Sequence, residues 1–256
     1  MPLPVLFLHG ARSSRTMWRP QLDALERAGR TAAAVDMPGH GEHVDEQFTV
    51  DASLTRIDEA IDRLGGRALV VGLSLGGYLG IAHAARSPER VAGLVAAGCC
   101  SVPDQPLAAG WQVLAAGIAK LPDHGAWLNQ HLVDLMLPPE MAAAAGEGGF
   151  ALDVMVDLLA GIRGLDPLAD LRRVRCPVWL VNGQWDHFRL QEKRFLAAAP
   201  DARLVVVRGA SHLVSLVRPV AFTRVLLEAL ADVDRRDATR RQPAAGRLVS
   251  SAVARR

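Results

Sequence analysis

The sequence predicts an α/β fold: a mostly parallel sheet flanked by helices, interrupted by a small helical insert. Three observations carry this. Short, continuously apolar runs alternate with longer amphipathic ones through the first hundred or so residues. The alternation stops over residues 103–164, and it resumes at Val178. Strands that are apolar on both sides need cover on both sides, which parallel βαβ connections supply. Of the 256 residues, 50% are hydrophobic and 22% charged, the balance of a globular chain with enough length for one full core.

Each element follows from its local pattern. Val5 to Leu8 reads as a buried strand ended by Gly10, and Met17 to Ala28 as a helix stopped at Gly29. Thr31 to Val35 is a second strand, broken by Pro38-Gly39-His40-Gly41. Leu54, Ile57, Ile61 and Leu64 recur at helical spacing between Ala52 and Leu64. Ala68 to Val71 is a third strand, followed by Gly72-Leu73-Ser74-Leu75-Gly76-Gly77 and a helix through Ala85; Val91 to Ala96 is a fourth. Inside the insert, Leu107 to Leu121, Ala126 to Leu137 and Leu152 to Ile162 read as helices, punctuated by Pro138-Pro139 and by the glycines from Gly146 to Gly149. Val178 to Val181 then reads as a strand, Gln191 to Ala198 as a helix, Leu204 to Val207 as a strand and Pro219 to Leu230 as the closing helix. The expected organisation is a core of 1–102 and 165–232, a helical insert of 103–164, and a disordered tail of 233–256. That tail is rich in Arg, Ala and Ser and has no apolar period.

Composition narrows the function classes. A net charge of +2 gives no general pull toward nucleic acid. No uninterrupted apolar run is long enough to span a bilayer, and no signal-peptide pattern follows Met1. The three cysteines are too few for a disulfide framework, Cys99 and Cys100 being neighbours, which favours a reducing, cytoplasmic setting. The expected partner is a small-molecule substrate.

The chemistry-bearing pattern is Gly72-x-Ser74-x-Gly76, directly after a strand and directly before a helix. A strand-to-helix turn that tight strains the serine backbone and leaves no room for side chains two residues to either side, where both positions are glycine. It pushes the Ser74 hydroxyl out at the carboxyl end of the sheet and aims the Leu75 N–H at the same space, where a helix N-terminus favours negative charge. A serine hydroxyl needs a base to take its proton. His212 is placed for that, in a loop after the last strand, and Asp186 follows the strand ending at Val181, placed to fix the imidazole tautomer. The chain order is Ser, Asp, His. A second N–H for an oxyanion is expected from Ala11, after the first strand. His9 is expected to brace that loop.

On these residues the chain resembles the α/β-hydrolase superfamily, in its fold-1 branch. The matching residues are His9-Gly10, Asp36-Met37-Pro38-Gly39-His40-Gly41, the turn from Gly72 to Gly77, Gly183-Gln184-Trp185-Asp186 and Ser211-His212. The similarity runs over about residues 4–230, with the insert corresponding to the family's variable helical cap. Relative to that family the fold reads as N-terminally shortened, the chain starting at what would be the third strand, which leaves roughly six strands. The resemblance implies reaction type better than substrate.

Other features have plainer readings. His40-Gly41-Glu42-His43 lacks the spacing of a helical metal site and follows Pro-Gly, so it reads as a turn. Asp36 is expected to hydrogen-bond turn amides. Asp166 stands as a distant second for the acid, with Asp104 behind it. Trp18, Trp111 and Trp127 are candidate pocket linings, whereas Trp185 leans toward packing. The expected activity needs no cofactor and no metal: serine hydrolysis of a small, mostly apolar ester, thioester or lactone. Carbon–carbon bond hydrolysis, cofactor-free haloperoxidation and a non-catalytic binding protein are the alternatives on the same residues.

Overall fold

The structure is a computed structural model, and it describes residues 2–103, 117 and 126–241. Six strands form one sheet: β1 (Val5–Leu8), β2 (Ala32–Val35), β3 (Ala68–Leu73), β4 (Val91–Ala97), β5 (Val178–Gly183) and β6 (Ala202–Val207). Their order is β2-β1-β3-β4-β5-β6, and every neighbouring pair is parallel. Around the sheet lie α1 (Arg19–Arg27), α2 (Val50–Arg63), α3 (Leu75–Arg86), α8 (Glu192–Ala198), the single turn α9 (Val214–Val217) and α10 (Pro219–Arg241).

The apolar runs are strands because both of their faces are covered. Leu6 and Leu8 point into one core with Val70, Leu94 and Leu180, closed by Ile57 and Ile61 of α2 and Leu79 of α3. Val5 and Phe7 point into the other with Leu69, Val71, Val95 and Val181, closed by Leu25 of α1 and Phe222 and Leu226 of α10. Burying each such side chain stabilises the fold by about 1.5–3 kcal/mol. β2, at the sheet edge, is only partly buried, which suits its run Ala32-Ala33-Ala34.

Among the described residues, the chain between β4 and β5 holds the helices α4 (Ala126–Met136), α5 (Pro139–Gly146), α6 (Met155–Arg163) and α7 (Pro167–Arg173). The expected helix over 107–121 lies outside the described residues except at Gly117. Pro138-Pro139 does more than punctuate. Pro139 opens α5, where a missing N–H costs nothing and its fixed φ suits the helix. Asp166 caps α7, its side chain accepting from the Ala169 N–H at 3.0 Å. Asp166, the second choice for the acid, is thus employed as a cap, whereas the carboxylate bonded to His212 is that of Asp186.

Two boundaries differ from the sequence expectation for physical reasons. The helix read as Met17 to Ala28 is a 3₁₀ turn, Arg15–Trp18, joined to α1, and Pro20 marks the junction by sitting in the first turn of the second piece. The larger correction concerns the tail. Residues 233–241 are not unstructured but continue α10. Charge holds this stretch: Arg67 pairs with Asp237 at 2.5 Å, Arg30 with Asp234 at 2.7 Å and Arg236 with Asp201 at 2.5 Å. The Leu3 N–H adds a bond to Asp234 at 3.2 Å. Residues 242–256 lie outside the described residues.

Candidate active site

Chain direction across the sheet reverses at β1, whose neighbours are β2 on one side and β3 on the other. A crevice opens outside the carboxyl ends of strands at such a point. The loops leaving β1, β3, β4, β5 and β6 all face this edge, and they carry every polar residue singled out as chemical.

Ser74 links β3 to α3 with φ +54° and ψ −110°, a conformation that costs a non-glycine residue about 1–3 kcal/mol. Backbone bonds hold it there. The Ser74 N–H donates to Ala97 O at 2.7 Å, Tyr78 N–H donates to Ser74 O at 3.1 Å, and Gly76 N–H donates to His9 O at 3.1 Å. The flanking glycines are required by contact: a Cβ on Gly72 would lie 2.1 Å from Gly76 O, and one on Gly76 would lie 2.2 Å from Leu8 O. Leu75 begins α3, so its N–H has no intrahelical acceptor, and neither it nor the Ala11 N–H has a hydrogen-bond partner among the described residues.

Asp186 and His212 meet across two loops. Asp186 Oδ1 lies 3.0 Å from His212 Nδ1 and accepts a second bond from the Phe188 N–H at 2.8 Å. The network therefore assigns the proton to Nδ1 and leaves Nε2 as an acceptor. Asp186 is 3% exposed. Burial pushes its carboxyl up, but the hydrogen bond and charge of His212, with the Phe188 amide, outweigh that and hold it below the usual carboxylate range. The loops are clamped together by Gln184 N–H to Val207 O at 2.9 Å, Trp185 N–H to Ala210 O at 3.0 Å and Gly209 N–H to Gln184 Oε1 at 3.0 Å.

Gly98, just past β4, lies against the histidine one residue after the strand end that holds the serine backbone. No hydrogen bond joins Ser74 to His212 among the described residues. The Gly98 N–H donates to Val181 O at 3.0 Å, and its φ is +60°. A Cβ there would stand 3.1 Å from the His212 ring and 3.2 Å from Asp186 Oδ2. Ser74 hangs from Ala97 and His212 rests on Gly98, so two consecutive residues of one strand end position both. Nothing in the sequence singled out Gly98. The same holds for His187 and Phe188, whose rings lie 5.2 and 4.8 Å from that of His212. Burial first, then repulsion from His212, draws the His187 pKa below its ordinary value, with Asp186 opposing. Their one sequence signal is that they follow Asp186 directly.

The loop after β1 is braced from below. His9 is fully buried; its Nε2 accepts from the Met37 N–H at 2.9 Å and its Nδ1–H donates to Gly10 O at 2.8 Å. His40 packs its ring 4.7 Å from His9 and donates Nδ1–H to Pro38 O at 3.0 Å. His43 turns away and pairs with Glu46 at 2.8 Å, so the two histidines of that turn do not converge. Asp36 accepts from the Arg15 N–H at 2.6 Å, from the Arg15 guanidinium and from the Glu42 N–H at 3.1 Å. It holds turn amides, as its position suggested.

The tryptophans correct three expectations. Trp18 has no exposed surface: it stacks on Phe7 at 4.9 Å and contacts Phe222 at 5.8 Å, filling the core beneath β1 rather than a pocket. Trp127 lies flat against His131 at 5.3 Å and is 71% exposed, a surface ring rather than an enclosed one. Trp185 is equally exposed, not packed, because its loop is held by backbone bonds on either side. Trp111 lies outside the described residues.

With this geometry in hand, comparison with known proteins gives a consistent result. Residues 5–225 match the alpha/beta hydrolase family. Across 246 residues the chain is 29% identical to the protein of Caulobacter sp. (strain K31) named "Putative carbamate hydrolase RutD", covering 89% of this chain and 90% of that one. A thermophilic esterase from Thermogutta terrifontis superposes with a TM-score of 0.76 at 25% identity, over 91% of each chain. The enol-lactonase from Burkholderia xenovorans LB400 shares the fold, with a TM-score of 0.72 at 21% identity over 90% of this chain and 92% of that one. The family match spans the sheet, the serine turn and the loops bearing Asp186 and His212, and the chain belongs to the alpha/beta hydrolase family.

Proposed function

We propose that this chain is a serine hydrolase that cleaves a small, mostly apolar ester, thioester or lactone through an acyl-enzyme. What supports the reading most is a strained Ser74 hung from Ala97 at the end of β4, one residue before the Gly98 on which the bonded pair Asp186–His212 rests. In this reading His212 Nε2 takes the Ser74 proton as Oγ attacks the carbonyl carbon. Asp186 keeps the imidazole in the required tautomer and stabilises it once charged. The carbonyl oxygen gains negative charge beside the Ala11 and Leu75 amides, each such donor being worth about 10²–10³ in kcat.

The tetrahedral species collapses as the leaving group takes the proton from His212. Water then attacks the acyl group, giving its proton to His212; collapse returns that proton to Ser74 Oγ and frees the acid. The names of the relatives support acyl chemistry and extend the candidates to carbamates, whose carbonyl the same groups could attack. Segment 103–164 acts in this account as a cap that selects substrate, since inserts over a rigid sheet shape the pocket.

A panel of p-nitrophenyl esters of increasing acyl length, run against wild type and Ser74→Ala, tests the reading. Turnover with a chain-length optimum, abolished in the variant, is the expected result. Equal turnover by both proteins removes Ser74 as nucleophile.

A further inference from the structure

Arg12 stands one residue beyond the Ala11 amide and is unusual in two independent respects. Its backbone has φ +60°; among the described residues it and Ser74 are the only non-glycine positions in the left-handed region. An arginine has no local hydrogen bond to offset that conformation, so the fold holds it there against preference. Its guanidinium, with five N–H donors, is partly buried yet makes no hydrogen bond or ion pair with the described residues. Among the described residues, other arginines lacking a partner, such as Arg27, Arg172 and Arg224, are exposed to water.

The described residues around it offer no counter-charge. Burial acts alone on the Arg12 pKa, drawing it down, with no carboxylate raising it. Asp36, the acid of the neighbouring turn, is saturated by Arg15 and the Glu42 amide. His9 and His40 are buried and held neutral near physiological pH. The segment around Arg12 is enclosed from above: the Arg12 carbonyl accepts from the Ala151 N–H at 3.2 Å, and a Cβ on Gly148 would lie 2.0 Å from Ser14 Oγ. Arg12 thus sits where the β1 loop meets the stretch between α5 and α6, beside an amide expected to hold an oxyanion. A partly buried cation with no partner among the described residues is poorly compensated in the free protein and gains from an anion that arrives.

We propose that Arg12 is the counter-ion for a carboxylate carried by the substrate, so that the ester cleaved at Ser74 bears a free carboxylate a few bonds from its scissile carbonyl. This rests on the hydrolase reading above and refines its substrate: a short apolar chain with one anionic end. A planar guanidinium suits bidentate pairing with a carboxylate, and a charge-assisted pair of this kind gives about 10- to 100-fold in affinity.

The test compares monomethyl succinate with methyl butyrate, which differ by a carboxylate in place of a terminal methyl, on wild type, Arg12→Gly and Arg12→Lys. Glycine accepts φ +60° freely, so the variant loses the charge without adding strain. Wild type is expected to favour monomethyl succinate in kcat/KM by at least about 10-fold. Arg12→Gly should lower that ratio about 30-fold through KM, Arg12→Lys should lie between, and the Tm of Arg12→Gly should equal or exceed that of wild type. Free succinate should slow fluorophosphonate labelling of Ser74 in wild type and not in Arg12→Gly. An unchanged ratio in Arg12→Gly overturns the proposal, as does a lower Tm with both esters losing equally, which marks a structural arginine. Labelling of Ser74 separates the two claims: with the label and no carboxylate preference only the role of Arg12 fails, whereas without the label the hydrolase reading itself fails.

Discussion

The loops at the carboxyl edge of the sheet and the helices between β4 and β5 are held in different ways. At the edge, position is set by backbone: Ser74 hangs from Ala97, Gly98 from Val181, and Trp185 from Ala210. Clearances at Gly72, Gly76 and Gly98 leave no room for even a methyl group without movement. In the helices, position is set by side chains, and loosely. α4 leaves Trp127 and Leu135 more than two-thirds exposed, and α5 buries only alanines. Reaction geometry tolerates shifts of well under 1 Å, whereas the wall of a pocket can be repacked without disturbing it. In the function proposed above, the first region would carry the reaction and the second the choice of substrate.

The largest effect should follow from Ser74→Ala: turnover lower by at least about 10⁴-fold with the Tm little changed. Activity within 10-fold of wild type would dissolve the distinction between the two regions. Next comes Gly98→Ala. Its methyl must displace the His212 ring and take up a left-handed φ, so kcat should fall by about 10- to 100-fold while KM changes little. The left-handed φ should cost about 1–2 kcal/mol of stability. A variant altered only in KM would mean that Gly98 does not position His212.

Acid should act on the fold, in a window set by two buried histidines, His9 after β1 and His40 after β2. Burial, then repulsion from His9, pulls His40 down to about 3, and burial lowers His9. Because the unfolded chain binds these protons near pH 6.5 and the folded chain resists them, stability should decline as pH falls from about 6.5 toward 3. His40→Gln keeps a donor for Pro38 O without titrating, and it should flatten the dependence of Tm on pH. An equally steep slope in that variant would place the acid sensitivity elsewhere. The smallest effect belongs to the helices. Trp127→Ala should change stability by no more than about 0.5 kcal/mol. In the ester panel it should leave both the chain-length optimum and the best kcat unchanged, as an exposed ring would; a shifted optimum would place Trp127 on the substrate pocket.

The same contrast explains what could be read from the sequence. The sheet was legible because its central strands are continuously apolar and buried and α1 and α2 each carry one apolar stripe. Ser74, Asp186 and His212 were legible because a strand-to-helix turn and two post-strand loops are local patterns in fixed order. Gly98 was not, because a lone glycine after a strand carries no signal until a ring is seen resting on it. Nor was the run 233–241, whose helix depends on Arg30, Arg67 and Asp201, all far away in sequence. Trp18 was misread because an aromatic near a loop suits a core and a pocket equally well; only its stacking on Phe7 decides. Arg12 was passed over because what marks it is a missing partner, and absence has no sequence pattern.

The most direct test of the central claim is to react the full chain with a fluorophosphonate and map the adduct by peptide mass spectrometry, beside Asp186→Asn. The account expects one adduct, on Ser74 in wild type, formed at least about 100-fold more slowly in Asp186→Asn because the imidazole loses its tautomer. An adduct elsewhere, none from folded protein, or equal rates in the two proteins would contradict it.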